Sequence, residues 1–162
     1  MHAPADREAT DRTVIDRAVR ADAAEILALQ KLAYASEAAI YDDYTISPLH
    51  QTLADLEAEI EGQVVLKAML DARIVGSVRA YERDGTCHIG RLIVHPDCQN
   101  RGLGARLMRA IEERFAAAQR FELFTGHRSE RNLYLYRKLG YASYRTQPIN
   151  EQLSLIYLEK RR

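Results

Sequence analysis

The sequence holds only two cysteines, no net charge and no apolar run long enough to span a bilayer. Each shortage excludes something. Lys+Arg and Asp+Glu both number 23, so nothing is basic enough to argue for a nucleic-acid partner. Cys87 and Cys98 have no CxxC or other metal-ligand spacing, which argues against a metal site and predicts reduced thiols in an intracellular protein. The missing apolar run excludes a transmembrane helix, and with it a membrane partner. Met1 to Asp11 is polar and has no hydrophobic segment of the kind a signal peptide needs, so it reads as a disordered lead. No internal repeat or low-complexity stretch breaks up the 162 residues, which is the length of one domain with a sizeable core. These points predict a soluble cytoplasmic domain.

What is present is concentrated between Leu92 and Met108. An apolar run, Leu92-Ile93-Val94, stops at His95-Pro96. A polar loop with Gly102 and Gly104 follows, then an amphipathic stretch. This is the pattern of a strand feeding a helix N-terminus through backbone that can approach a ligand closely. The first turn of a helix presents free N–H groups at the positive end of its dipole, which suits a phosphate. Glycines remove Cβ atoms that would block the approach. Arg101, Arg106 and Arg109 add positive charge. The loop lacks the Lys-Ser/Thr of a nucleotide-triphosphate loop, and position 107, where a dinucleotide fingerprint needs its third glycine, is Leu107.

Periodicity supplies the rest. A strand is expected near 13–19. A helix over about 22–39 follows, with Asp22 as N-cap, Glu25 completing a near capping box, and Ile26, Leu29 and Ala33 at helical spacing. Tyr41 to Pro48 reads as a loop. Thr52 caps a second helix ended by Gly62, with Leu53, Leu56 and Ile60 on one face. Strands 64–70, 73–82 and 86–94 are joined by turns at Asp71-Ala72 and Arg83-Asp84-Gly85. The helix after Gly102 carries Leu103, Leu107, Ile111 and Phe115 on one stripe. Strand 120–125, a helix capped by Ser129 and closed by Gly140 as its C′ residue, and strands 141–145 and 153–159 complete the chain. Early hairpins and later helical crossovers predict an α/β (α+β) domain. Its sheet is mixed but mostly antiparallel, of six to seven strands with about four flanking helices and a parallel pair at the centre.

Gln99-x-x-Gly102-x-Gly104 after the Leu92–Pro96 strand end resembles the acyl-CoA-binding motif of the GNAT N-acetyltransferase superfamily. Asn132-x-x-x-Tyr136-x-x-x-Gly140-Tyr141 resembles that superfamily's second signature. The order of elements fits over residues 12–159, the expected extent of the domain. Position 98, often aromatic in the family, is Cys98, and position 141, often phenylalanine, is Tyr141. Cys98 reads as a small turn residue rather than a nucleophile, since no local base partners it.

The resemblance implies transfer of an acetyl group from acetyl-CoA, as co-substrate, to a primary amine by direct attack. The acceptor class stays open among small amines, amino-acid derivatives and peptide or protein amines. Backbone from Gln99 through Asn100, Arg101, Gly102, Leu103 and Gly104 to Ala105 should hold the pyrophosphate. The strand edge at Leu92, Ile93 and Val94 should pair with the pantetheine arm, with an N–H near Ile93 or Val94 polarising the thioester carbonyl. Asn132 and Tyr136, four apart on one helical face, should both turn to the cofactor, with Tyr136 as the acid for the departing thiolate. Tyr134 should point elsewhere and be structural. The base stays open between His88, Glu82 and a water relay. His88 shares a face with Gly90 and Leu92 if the strand is regular, and a bulge would break that parity. His127 and Arg128 end a strand near the second signature and either approach the cofactor or form a solvated loop. The acceptor wall is expected in Glu37 to Leu49, where Tyr41, Asp42, Asp43 and Tyr44 can hold an ammonium group or stand as solvated loop charges. A homodimer is implied by analogy alone. The rival reading is a catalytically silent acyl-CoA-binding sensor or interaction module.

Overall fold

A computed structural model describes residues 12–162, and the lead expected at 1–11 lies outside them. Strand β1 is Val14–Arg17, and a single 3-10 turn at Arg20–Asp22 leads into helix α1, Ala23–Tyr41. A one-turn helix α2, Ser47–His50, interrupts the segment read as loop, with Pro48 in its first turn. Helix α3 is Leu53–Gly62, and the Thr52 hydroxyl accepts from the Asp55 amide at 3.1 Å, the cap expected there. Strands β2 (Val64–Leu70), β3 (Arg73–Arg83) and β4 (Thr86–Val94) follow, then α4 (Leu103–Glu113), β5 (Arg120–Gly126), α5 (Glu130–Lys138), β6 (Ala142–Pro148) and β7 (Ser154–Arg161).

The seven strands form one sheet in the order β1-β2-β3-β4-β5-β7-β6. Every pairing is antiparallel except β4 with β5. Both early hairpins close through two-residue turns with left-handed backbone, at Asp71-Ala72 and Asp84-Gly85, whose twist matches that of paired strands. One core lies beneath α4 and α5, with Leu66, Val78, Leu107, Met108, Ile111, Phe121 and Leu158 sealed in it. A second lies beneath α1 and α3 on the other face, around Ile26, Leu56, Val65 and Ile93. Among the described residues no helix is long and apolar enough to cross a membrane.

Two expected caps are used differently. The Asp22 carboxylate accepts from the Val19 amide and from Lys67 Nζ, each at 2.8 Å, and gives α1 no side-chain cap. Glu25 reaches across to accept from the Ile74 amide of β3 at 2.6 Å. Ser129 likewise leaves the N-terminus of α5 uncapped, because its hydroxyl is engaged elsewhere.

The feature that positions the site is a bulge in β4. Ser77 pairs with Ile93, but Arg79 pairs with Gly90, so three steps of β4 oppose two of β3. The extra residue is absorbed at Arg91, whose φ is 52°. Side-chain parity flips there. Cys87 and Ile89 pack into the α4/α5 core, and Leu92 and Val94 rejoin that core after the bulge, while Ile93 turns to the α1/α3 core. His88 and Gly90 therefore do not share a face with Leu92. Beyond His88–Glu122 the parallel pairing of β4 with β5 ends, and the two strands part.

Candidate active site

The gap between the parted strands opens into a cavity of about 600 Å³. Leu92, Ile93 and Val94 form its β4 wall, and Gln99, Asn100, Gly102, Leu103, Gly104 and Ala105 form the loop and helix-start wall. Asn132 and Leu135 close it from α5, and Tyr34 and Glu37 from α1. Because β5 has diverged, the β4 backbone groups on that side have no strand partner. The His95 amide donates to Val75 O at 2.8 Å, toward β3. By the alternation of an antiparallel ladder, the Val94 N–H and C=O point the other way, into the gap. Val94 is thus the better placed of the two residues considered as carbonyl polarisers.

Gly102, the N-cap of α4, has φ +83° and no atom near the place of a Cβ, so its backbone conformation is what calls for glycine. It also supplies no side-chain cap, which leaves the first-turn amides of Leu103, Gly104 and Ala105 to meet a ligand. Gly104 answers a different need. A Cβ there would lie 3.2 Å from Leu135 Cδ2, so this glycine lets α5 pack against α4. Arg109, Arg131 and Lys138 line the same cavity. The Arg131 guanidinium also donates to the Gln99 amide oxygen. Arg106 is tied instead to Thr13 O at 2.9 Å, and Arg101 is not among the lining residues.

Tyr136 is 6% exposed and packs edge-on to Tyr141, with ring centroids 6.2 Å apart. No hydrogen bond to its hydroxyl is found among the described residues, and no buried polar side-chain atom is sealed without a partner, so this hydroxyl opens to accessible space. Burial pushes its pKa above the ordinary tyrosine value, reinforced by Tyr34 and Glu37 nearby. Asn132, one turn earlier, donates to Thr125 Oγ1 at 3.2 Å.

Tyr136 is not among the residues that line the cavity, and neither are His88, Glu82, Tyr41, Asp42, Asp43, Tyr44, His127 and Arg128. His88 stacks on Tyr81, with centroids 5.0 Å apart, and its Nδ1 is 3.2 Å from Glu122 Oε1. Glu82 is exposed and pairs with Cys87 in the ladder. Asp43 is held by the Thr45 amide and hydroxyl and by Asn150, contacts that keep its carboxyl below the usual range. Asp42 ends α1 with left-handed backbone, and Tyr44 is 57% exposed. Tyr41 is buried and bonds Ser129. His127 Nδ1 accepts from the Ser154 amide at 3.0 Å, and Arg128 lies over the Tyr41 ring. Cys98 is buried in a 3-10 turn on the cavity wall. Burial raises the Cys87 thiol to about 12, leaving it a packing residue.

The profile of the Acetyltransferase (GNAT) family matches residues 24–141, most of the chain and all of this site. The chain belongs to the GNAT family. Solved GNAT structures share the fold. PaiA N-acetyltransferase from Thermoplasma acidophilum, determined in complex with coenzyme A, superposes with a TM-score of 0.77 over 93% of this chain and 99% of its own, at 14% identity. YncA of Salmonella typhimurium, with its cofactor acetyl-CoA, gives 0.70 over 93% and 94% at 24% identity. A GNAT acetyltransferase from Streptococcus pneumoniae gives 0.72 over 92% and 98% at 20% identity. The UPF0157 protein YqkA of Bacillus subtilis is 27% identical over 119 residues, 74% of this chain. The chain spans about a third of the length of that relative.

Within this GNAT domain, sequence reasoning missed Tyr34 and the cavity rim. Tyr34 lies mid-way along α1, half-buried against the α1/α3 core, and looks like core. Tyr134, expected to be structural, is 69% exposed and lines the cavity beside Lys138. Glu37 was the first residue of the proposed wall, and it is the one that faces the cavity.

The α1 side of the site depends on a close approach. An added Cβ at Gly126 would stand 2.1 Å from the Tyr41 hydroxyl oxygen. Gly126→Ala must therefore displace Tyr41 and its bonds to Ser129 and the Arg128 amide. The expected cost is about 1–3 kcal/mol. A thermal melt should show the midpoint falling by roughly 2–10 °C.

Proposed function

We propose that this chain is an amine N-acetyltransferase that takes its acetyl group from acetyl-CoA. The observation that carries this reading is the β4 edge at Leu92–Val94, which no strand pairs and where only the Gln99 side-chain amide reaches Val94 O, at 3.5 Å, opening beside the uncapped start of α4. An extended amide-bearing arm can add to that edge as a further strand does. Its pyrophosphate then meets the amides of Leu103 to Ala105, with Arg109 and Arg131 near the charge. The residues present fit coenzyme A for these reasons, and the bound thioester supplies the activated acetyl group.

The Val94 N–H, directed away from β3 into the gap, is the donor for the carbonyl oxygen as it develops charge in this reading. Tyr136 supplies the proton that the departing sulfur takes as the C–S bond breaks. The acceptor ammonium first gives one proton to water, and on forming the new C–N bond the amine sheds a second, which water returns to Tyr136. Water is preferred to His88 and Glu82 because His88 lies before the Arg91 bulge, stacked on Tyr81 and beside Glu122, and Glu82 is exposed near the end of β3.

The test is thiol release from acetyl-CoA across a panel of small amines, amino acids and peptide amines. Release with at least one class, together with the mass of the acetylated product, is the expected result. Tight binding of coenzyme A without turnover on any amine would instead favour the sensor reading.

A further inference from the structure

Two opposite charges stand on either side of Tyr34, which lines the cavity: Glu37, which also lines it, and Arg91 of β4, which reaches the Tyr34 ring from outside the lining. Glu37 Oε2 accepts from Ser129 Oγ at 2.6 Å. Ser129 has one proton, so at its second contact, 2.8 Å from the Tyr41 hydroxyl, it must accept. Tyr41 in turn accepts from the Arg128 amide at 2.9 Å. Every hydrogen bond from the Arg128 amide through Tyr41 and Ser129 to Glu37 thus runs one way. This fixes one carboxylate oxygen and leaves the other for a ligand. No cation pairs with Glu37 among the described residues.

The opposite charge is Arg91, the residue that absorbs the β4 bulge. A bulge re-aims a side chain and is a recurrent device beside active sites. The guanidinium carbon lies 5.9 Å from the centre of the Tyr34 ring, and Nη2 is 3.3 Å from Ser47 Oγ. No carboxylate pairs with it among the described residues. Both charges act on one group. Burial raises the pKa of the Tyr34 hydroxyl, Arg91 and then Arg79 oppose that shift, and Glu37 reinforces it; Arg79 is already paired with Glu59. Tyr34 and Glu37 also act on the Tyr136 hydroxyl. Tyr34 therefore stands in a cluster with the anion Glu37, the proposed acid Tyr136 and two cations, of which Arg79 is paired with Glu59 and Arg91 has no carboxylate partner among the described residues.

We infer that the acceptor is a zwitterion, an amino acid or a close derivative, whose ammonium group pairs with Glu37 and whose carboxylate pairs with Arg91 across Tyr34. Such a ligand neutralises both charges, and a guanidinium can grip its carboxylate with two parallel hydrogen bonds. Ser129 and Tyr41 are positioning residues for Glu37.

This inference rests on the acetyltransferase reading above, and one set of assays separates the two. The standard amino acids, their carboxamides and the corresponding decarboxylated amines are each offered with acetyl-CoA, and kcat and KM are measured. The expected result is that at least one free amino acid exceeds its carboxamide in kcat/KM by about tenfold or more, through KM. Arg91→Gln should bring that ratio toward one, and Arg91→Lys should retain part of it. Glu37→Gln should lower kcat/KM for every acceptor. Coenzyme A affinity, measured by calorimetry, reports whether each variant is folded. Turnover without a preference for the carboxylate, or a preference that survives in Arg91→Gln, overturns this inference alone. No turnover with any amine overturns both readings.

Discussion

Tyr136→Phe should lower kcat by about 100-fold while coenzyme A affinity stays within a few-fold of the wild type. General acid groups contribute roughly 10²–10⁴-fold, and a water can replace part of that here because the hydroxyl is not sealed. The variant should fold normally. Phenylalanine fills the same volume, and the lost hydroxyl has no protein hydrogen bond to forfeit among the described residues. Burial raises the Tyr136 pKa, so its proton stays in place through and beyond the ordinary tyrosine value near pH 10. Loss of this residue should therefore depress the whole pH–rate profile below that value without removing a basic limb. A raised pKa also makes a weaker acid. A thiol in water titrates near pH 8.5, but a thiolate released into the same apolar surroundings is a stronger base than that. The phenol can then stabilise it by hydrogen bonding even where full transfer is uphill. Turnover of Tyr136→Phe at the wild-type rate would reduce Tyr136 to the packing partner of Tyr141.

The loop and helix-start wall of the cavity was legible in the sequence because it is built from backbone. Gly102 and the apolar strand before it announce a tight turn into a helix start, and turn chemistry is local. Strands β2 to β4 were legible for the same reason, since Asp71-Ala72 and Asp84-Gly85 sit between alternating runs. The α1 side of the cavity, proposed to take the acceptor, is built from side chains brought together over long separations. Tyr41 meets Ser129 and Gly126, and Arg91 meets Tyr34 and Ser47. No local periodicity encodes such meetings. The bulge at Arg91 was equally silent, because a non-glycine residue with positive φ leaves no compositional mark. That single residue flipped the parity on which His88 had been placed. The Asp42-Asp43 pair misled for the opposite reason. Adjacent acids look like a cation site, yet Asp42 only ends α1 and Asp43 spends its oxygens on Thr45 and Asn150.

Glu59→Ala should destabilise the fold by about 2–3 kcal/mol, more than an exposed ion pair can account for. Its partner, Arg79 of β3, has a side chain only 6% exposed beneath α1 and α3. The guanidinium donates to Glu59, to Gln30 Oε1 and, at 3.4 Å, to Gln51. Gln30 in turn donates to Pro48 O at 3.0 Å and to Gln51 at 2.9 Å. One buried cation thus ties α1, α2 and α3 to the sheet, and it holds in place the turn that brings Ser47 to Arg91. Burial already works against the Arg79 charge, and Glu59 is the largest influence opposing that. Removing the carboxylate leaves the cation in place with only neutral amide partners. Full burial of the pair would make the loss about 3–5 kcal/mol, but the Glu59 side chain is a third exposed, so water recovers part of it. Removing the cation is a different perturbation. Arg79→Met fills the space without a charge and strands the Gln30 oxygen, at about 1–3 kcal/mol. The double variant Glu59→Ala, Arg79→Met should then be no less stable than Arg79→Met alone, because Glu59 has nothing left to neutralise. Urea midpoints for the two single variants and the double variant measure this coupling. Additive losses would mean that Glu59 supports α3 by some means other than the charge on Arg79.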